Sequence, residues 1–165
     1  MTVIRKAKEA DIKAMNDIYN QAVLETVATF DLNPHTIEQR TDWFSRYQDR
    51  YPLFTAEIDG QVAGYGSLSP FRDKEAYKDT VELSIYLSPG FQGAGLGKKM
   101  MNVLIEDAKK RGFHTIISGI TGGNEISVRL HERFGFEFVG NFKEVGFKFG
   151  EWQDVHFYQL VLTRS

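Results

Sequence analysis

The sequence predicts an α/β (α+β) fold with a mixed, mostly antiparallel central sheet and helices on both faces. The first half of the chain holds strand patterns joined by Asp59-Gly60, a hairpin signal typical of antiparallel neighbours. In the second half, strand and helix patterns alternate, as they do where crossover connections place helices against a sheet. A length of 165 residues with 42% apolar residues suits one hydrophobic core. We therefore expect a single domain over residues 1–165.

The first half divides into five predicted elements. Apolar residues recur at helical spacing after Asp11, and a second helical segment begins near Thr36. The predicted elements are a strand over 2–5, helices from 12 to about 24 and from 36 to before Pro52 (carrying Tyr47), and strands over 53–58 and 61–69. Gly64 and Gly66 lie inside the last strand, where they indicate a bulge or a close backbone neighbour.

The second half begins after a charged, aromatic loop over residues 70–78. Gly112 and Gly135 predict where its two helices end. The predicted elements are strands over 80–87 and 114–120, helices over 95–111 and 124–134, and two last strands over 137–149 and 155–162. The last two strands are joined around Gly150, which places Trp152 and Asp154 at a tight connection.

Composition argues against several classes of function. The net charge of −2 and the lack of a long basic block do not indicate a nucleic-acid partner. Without cysteine, the chain has no disulfide framework, thiolate nucleophile or cysteine-based zinc site. The histidines lack metal-ligand spacing, so we expect no metal. The amino terminus has no signal-peptide core and no run approaches the roughly 20 apolar residues that span a bilayer, so we expect a cytoplasmic protein with no membrane partner.

The most informative stretch runs from Leu83 to Met100. It reads as an apolar strand, a Pro-Gly break, a glycine-rich turn and the first turn of a helix. Gly93, Gly95 and Gly97 free the backbone to bend closely around a ligand. The helix directs its first N–H groups and the positive end of its dipole at the same place, which suits a phosphate or pyrophosphate.

Two common phosphate loops fit this turn poorly. A Walker A loop needs a glycine five residues before its Gly-Lys pair and a hydroxyl after the lysine, but Gln92 and Lys99 occupy those positions. A dinucleotide fingerprint needs G-x-G-x-x-G, but Lys98 or Met100 stands where the third glycine belongs.

The pattern that does stand in the sequence is Gln92-x-x-Gly95-x-Gly97, directly after an apolar strand and opening a helix. It resembles the acyl-CoA-binding motif of the GCN5-related N-acetyltransferase superfamily. Asn124 to Phe136 resembles that family's next helix, at a fitting distance along the chain. The resemblance covers nearly the whole chain. It is greatest to the branch with phosphinothricin and methionine-sulfoximine acetyltransferases, in the stretches 26–30, 80–87, 127–132 and 146–155.

This resemblance implies an activity and a geometry. Acetyl-CoA is the expected co-substrate, and the branch acetylates the α-amine of small amino acids and their toxic analogues by direct transfer in a ternary complex. Its members form dimers, so we expect a homodimer, with detoxification or metabolism as the purpose. The family's sheet splays beside the cofactor-binding strand, and Pro89 agrees with that because proline cannot continue a ladder.

The expected contacts to coenzyme A come from three places. The strand backbone would pair with the pantetheine amides, and the glycine turn would hold the pyrophosphate. Two residues on one face of the later helix would contact the pantetheine arm, and the first of them is also a good N-cap. The residues are Ile85, Tyr86 and Leu87 on the strand, Gln92, Gly93, Ala94, Gly95, Leu96, Gly97 and Lys98 in the turn, and Asn124 and Ser127 on the helix.

Acetyl transfer needs a base, because an amino-acid amine is mostly protonated at pH 7. Glu82 is the first candidate, since strand alternation places it with Ser84 and Tyr86 opposite the apolar face. His131 is the second. Many relatives carry a tyrosine there that protonates the departing thiolate, and a histidine could act as acid or as base. Each residue also has a non-catalytic interpretation: Glu82 as a solvated carboxylate on the strand face, and His131 as a structural hydrogen-bonding residue.

The acceptor's carboxylate needs a cation or backbone donors. Arg72, in the loop between two strands, is the expected cation, with Phe30, Phe71 and Tyr77 as apolar walls and Glu82 near the amine. Two other functions share this fold. One is a non-catalytic acyl-CoA-binding module, which would tolerate replacement of Glu82 or His131. The other is a protein or peptide N-terminal acetyltransferase, although the 70–78 loop would close over a small ligand more easily than accept a chain.

Overall fold

The computed structural model describes residues 1–91 and 95–162. One sheet contains the strands, and helices cover both of its faces. The strands are β1 (Thr2–Lys6), β2 (Leu53–Ile58), β3 (Gln61–Pro70), β4 (Thr80–Leu87), β5 (Thr115–Thr121), β6 (Glu137–Lys148) and β7 (Glu151–Val161), and the helices are α1 (Ile12–Glu25), α2 (Ile37–Ser45), α3 (Leu96–Lys110) and α4 (Glu125–Arg133).

The sheet has the order β1-β2-β3-β4-β5-β7-β6. Neighbouring strands are antiparallel except β4 and β5, which are parallel. The larger core, with Met100 and Leu104 of α3 and partly buried residues of α4, covers one face. The smaller core joins α1 and aromatic residues of α2 to the other face. The predicted fold class is confirmed.

The β4 strand diverges from β5 after a short pairing. Three residue pairs join the two strands, and the last is Glu82 with Ile117. Beyond it, among the residues that the structure describes, β4 continues to Leu87 paired with β3, while β5 continues to Thr121 paired with β7. The predicted splay therefore begins directly after Glu82.

Gly64 and Gly66 bring β3 close to its neighbours. A Cβ at Gly64 would lie 2.6 Å from a methyl carbon of Leu87 and 2.9 Å from the carbonyl oxygen of Tyr86. A Cβ at Gly66 would lie 2.7 Å from Met100. The register between β2 and β3 also shifts just before Gly64. Both predicted readings hold for Gly64, whereas the close neighbour of Gly66 is the side chain of Met100 and not a backbone.

Two predicted boundaries are wrong. The second helix ends at Ser45, so Tyr47 lies in the turn that follows it. The last strand begins at Glu151 instead of Val155, because Phe149 and Gly150 both adopt positive φ and form a two-residue turn. Trp152 and Asp154 therefore lie within β7 and not in the connection.

Candidate active site

A cavity of about 530 Å³ opens where β4 and β5 diverge. Its walls come from the open half of β4, the start of α3, the end of β5, α4, α1 and the loop after α1. Ten predicted site residues border it: Ile85, Tyr86, Leu87, Gly95, Leu96, Gly97, Lys98, Asn124, Ser127 and His131. Gln92, Gly93 and Ala94 lie outside the described residues. The structure thus brings the described residues of both sequence motifs to one cleft.

The open half of β4 offers an unused backbone edge to this cavity. On one side, Ile85 pairs with Gly66 and Leu87 with Gly64. On the β5 side, no strand pairing continues past Glu82 within the described residues. An extended ligand with amide groups can therefore add to this edge as another strand would.

The two helices at the cavity begin differently. The N-cap of α4 is Asn124, whose side-chain oxygen accepts a hydrogen bond from the N–H of Ser127 at 3.2 Å. The N-cap of α3 is Gly95, with φ of +77°, and it has no side chain to occupy the first N–H groups. Within residues 1–91 and 95–162 no side chain caps these donors, and such a helix start suits an anion.

His131 is buried, and its ring has one fixed nitrogen and one free nitrogen. Nδ1 donates to the carbonyl oxygen of Ser127 at 2.7 Å, an assignment that the carbonyl's acceptor character requires. Nε2 has no partner among the described residues. Burial lowers the pKa of His131, and the hydrogen bond to Ser127 opposes that shift in part. At neutral pH the ring is therefore a proton acceptor at Nε2.

Glu82 lies on the opposite face, at the point where the strands part. Ser84 and Tyr86, on the same side of β4, border the cavity, whereas Glu82 lies next to its lining. Burial raises the pKa of Glu82, and the positive charge of Arg72 opposes the shift. A carboxylate with a raised pKa is a stronger base than an exposed glutamate.

The predicted cation Arg72 and two of the three predicted apolar walls, Phe71 and Tyr77, form one group, and the charge of Arg72 acts on Glu82. The guanidinium of Arg72 stacks on the Phe71 ring at 4.3 Å, and Phe71 meets Tyr77 edge-to-face at 5.7 Å. Arg72 is exposed and forms no ion pair within the part of the chain that the structure describes. Phe30 packs against Gly146 of β6, where any side chain would overlap its ring.

Sequence reasoning missed several residues at this cleft. Thr26, Ala28 and Ser118 border the cavity. Thr26 and Ala28 lie in the 26–30 stretch that carried the resemblance but had no predicted role, and Ser118 lies in no such stretch. The loop over residues 26–36 is also fastened from a distant strand, because Lys148 donates from its buried ammonium to the carbonyl of Thr29 at 2.8 Å. A lysine inside a strand pattern carries no signal of such a long-range contact.

Two kinds of feature are not found in the described residues. Residues 1–91 and 95–162 contain no group of three or more His, Cys, Asp or Glu side chains that could hold a metal ion. None of the helices described has the length and apolar character needed to cross a membrane.

Comparison with known proteins agrees with this geometry. The family model described as "Acetyltransferase (GNAT) domain" matches residues 4–157. The chain is 39% identical to L-methionine sulfoximine/L-methionine sulfone acetyltransferase from Salmonella typhimurium, over 96% of this chain and 94% of the relative. The chain therefore belongs to the GNAT acetyltransferase family, as the motifs predicted.

Solved structures show the same fold over nearly full lengths. A phosphinothricin acetyltransferase from Sinorhizobium meliloti in complex with acetyl-CoA is similar at a TM-score of 0.95 and 37% identity, covering 98% of this chain and 88% of that one. A ribosomal-protein-alanine N-acetyltransferase from Brucella melitensis is similar at a TM-score of 0.94 and 42% identity, covering 97% and 99%.

Proposed function

We propose that this enzyme transfers the acetyl group of acetyl-CoA to the α-amine of a small amino acid or analogue of the phosphinothricin and methionine sulfoximine type. The cavity at the parting of β4 and β5 carries the proposal, since it joins an open strand edge to a helix start whose N-cap, Gly95, has no side chain. The names of the Salmonella and Sinorhizobium relatives support the acceptor class.

The binding roles follow from the geometry. The N–H groups at the start of α3, from Gly95 to Lys98, bind the pyrophosphate, together with the turn before them. The backbone of Ile85 to Leu87 pairs with the pantetheine amides, and a backbone N–H near Leu87 polarises the thioester carbonyl. Asn124 and Ser127 contact the pantetheine arm from α4. Acetyl-CoA supplies the activated acetyl group as a thioester.

Two residues move the protons. Glu82 accepts the first proton from the acceptor's ammonium group, directly or through water, which frees the nitrogen to attack the thioester carbon. The second N–H proton leaves the tetrahedral intermediate for Nε2 of His131, and His131 returns it to the sulfur as the C–S bond breaks. His131 is restored when the sulfur takes the proton, so only Glu82 must release one proton to solvent, and no acyl-enzyme forms.

The acceptor is held by the loop before β4. Arg72 binds the carboxylate, since its guanidinium is exposed and free of ion pairs in the described residues. Phe71 and Tyr77 form the apolar wall beside it, and Phe30 contributes from the 26–36 loop.

A second candidate acceptor is the amino terminus of a protein, which the name of the Brucella relative favours. An assay of coenzyme A thiol release by the purified enzyme distinguishes the two acceptor classes. One set of reactions contains free amino acids, methionine sulfone or phosphinothricin, and the other contains peptides that begin with alanine. We expect turnover with the small acceptors. Turnover with peptides alone would replace the acceptor assignment, and tight acetyl-CoA binding without any turnover would indicate a binding module.

We also propose that the enzyme is a cytoplasmic homodimer that detoxifies amino-acid analogues. β6 is an edge strand, and the β6–β7 hairpin exposes more than half of each of several large apolar side chains: Phe138, Val139, Phe142, Val145, Phe147, Phe149 and Trp152. Such a patch favours a protein partner, and a second copy offers the same patch in return. Sedimentation of wild type and Phe147→Glu tests this, with a dimer expected for the first and a monomer for the second.

A further inference from the structure

Two buried polar atoms beside the cavity lack a hydrogen-bond partner among the described residues. They are Oγ of Ser118, a residue 2% exposed, and Nε2 of His131, a residue 5% exposed. Unpartnered buried polar atoms destabilise a fold, so native proteins contain few of them. Both residues border the same cavity, which indicates that one polar group serves the two atoms.

The two side chains lie on the same face of the sheet. Ile116 and Ile120 belong to the core beneath α3 and α4, and strand alternation directs Ser118, which lies between them, to that face. Tyr158 on β7 pairs in register with Ser118. The Tyr158 ring centroid also lies 6.3 Å from that of His131, so Ser118 and His131 share a neighbour.

The hydrogen-bonding capacities of the two atoms are complementary. Nδ1 of His131 is committed to the Ser127 carbonyl, so Nε2 of the neutral ring can only accept. The Ser118 hydroxyl can donate, but it does not reach Nε2 directly. One water molecule between them would accept from the hydroxyl and donate to the ring.

We propose that Ser118 is a positioning residue that acts through one water molecule to hold Nε2 of His131 as a proton acceptor. The inference rests on the proposed function, in which Nε2 receives a proton from the acetylated nitrogen and returns it to the sulfur. Because the water occupies the one lone pair of Nε2, the proton passes through it: the water takes the proton of the acetylated nitrogen as it gives one of its own to Nε2. The reverse exchange delivers the proton to the sulfur, so the water and Ser118 are unchanged at the end. They orient the ring and stabilise its neutral form.

The test compares two unpartnered buried hydroxyls. Thr55 of β2 is fully buried, its Oγ1 also has no partner, and it does not border the cavity. We expect Ser118→Ala to lower kcat about 10-fold, the effect of one lost hydrogen bond on the transition state, with KM for acetyl-CoA nearly unchanged. Thr55→Val is expected to change kcat by less than about twofold. Ser118→Ala in a His131→Gln background is expected to cause no further loss.

A second readout does not depend on turnover. NMR titration of the His131 ring is expected to show a higher pKa in Ser118→Ala than in wild type, because the water-mediated donor that stabilises the neutral ring is weakened. Tyr158, whose pKa is raised by burial, lies beside the His131 ring, and Glu125 and Glu132 of α4 lie near Tyr158. Tyr158 stays neutral through the titration, and the two carboxylates are present in both proteins.

The outcomes separate the inference from the proposed function. If wild type transfers no acetyl group, the function fails, and the His131 titration still decides whether Ser118 acts on the ring. An unchanged titration with an unchanged kcat would overturn the inference. An equal loss of kcat in Ser118→Ala and Thr55→Val would overturn it too, because the effect would then be a general one on the core.

Discussion

Glu82 and His131 approach the cleft from opposite faces of the sheet, and burial acts on them in opposite directions. It raises the pKa of Glu82 and lowers the pKa of His131. In both cases the neutral form is favoured, because a low-dielectric site penalises charge. Burial thus acts in opposite directions on the two residues that we propose as proton acceptors.

The surroundings of the two residues differ as well. His131 lies against an apolar core, next to Phe136 at 4.9 Å between ring centroids, and the causes of its shift include no charged group. Glu82 feels the charge of Arg72 on an exposed loop. The pKa of His131 is thus set by packing in the core, which substrates do not alter. The pKa of Glu82 depends in part on a loop that is also proposed to bind the acceptor.

Glu82→Gln tests the proposed general base, and of the two residues compared it is the one with the larger expected effect. We expect kcat/KM for the acceptor to fall about 10² to 10³-fold at neutral pH, because general-base catalysis typically contributes 10² to 10⁴. Raising the pH should restore part of the rate, since more acceptor then arrives as the free amine. Thiol release across pH measures both effects. Glu75→Gln, an exposed glutamate in the 70–78 loop, is the control, and a Glu82→Gln enzyme with full kcat at every pH would remove Glu82 from the base role.

His131→Gln tests the other residue. We expect kcat to fall about 10 to 10²-fold, less than for Glu82→Gln, because the departing thiolate can take a proton from water once the acceptor's ammonium has been deprotonated. KM for acetyl-CoA should change little. His114→Gln, at an exposed histidine, controls for the substitution. A loss larger than that of Glu82→Gln would reverse the order of the two residues.

The sequence predicted most of the elements and both cofactor motifs for a physical reason. The strand that ends at Pro-Gly, the glycine-rich turn and the N-cap Asn124 are each marked by residues close together in the sequence. They can therefore be predicted without knowing which elements pack together. Ser118 and Lys148 carry no such signal. Their positions depend on which strands lie side by side, and Lys148 meets Thr29 across 119 residues of chain. The Phe149-Gly150 turn was misplaced because phenylalanine rarely adopts the positive φ that it has here.

Arg72→Met tests whether the loop sets the pKa of Glu82, because the substitution is expected to change that pKa and leave the pKa of His131 as it is. The charge of Arg72 lowers the pKa of Glu82, so its removal raises that pKa further. Activity requires the ionised carboxylate, and the acidic limb of the kcat/KM profile is therefore expected to move to higher pH. KM for the acceptor should rise about 10-fold at its optimum, as for a lost charged hydrogen bond. Lys74→Met, at an exposed neighbour, should alter neither. An unmoved acidic limb would show that Arg72 does not tune the base.

Lys148→Met is expected to have the smallest effect of these substitutions. Its effect on the cleft is indirect, because Lys148 contacts the 26–36 loop. Lys148 is 3% exposed, and its ammonium holds the carbonyl of Thr29, while the hydroxyl of Thr121 holds that of Val27 at 2.7 Å. Methionine keeps the length of the side chain but cannot donate. We expect KM for the acceptor to rise about threefold, which is at the low end for the loss of one hydrogen bond, with kcat nearly unchanged.

The control for Lys148→Met is Lys143→Met, at an exposed lysine of the same strand. Burial lowers the pKa of Lys148, so removing the ammonium also relieves a desolvation cost, and the melting temperature should not fall. A raised KM together with an unchanged melting temperature would place the effect in the loop beside the acceptor. A lower melting temperature with unchanged kinetics would instead mean that Lys148 serves only to join β6 to the rest of the fold.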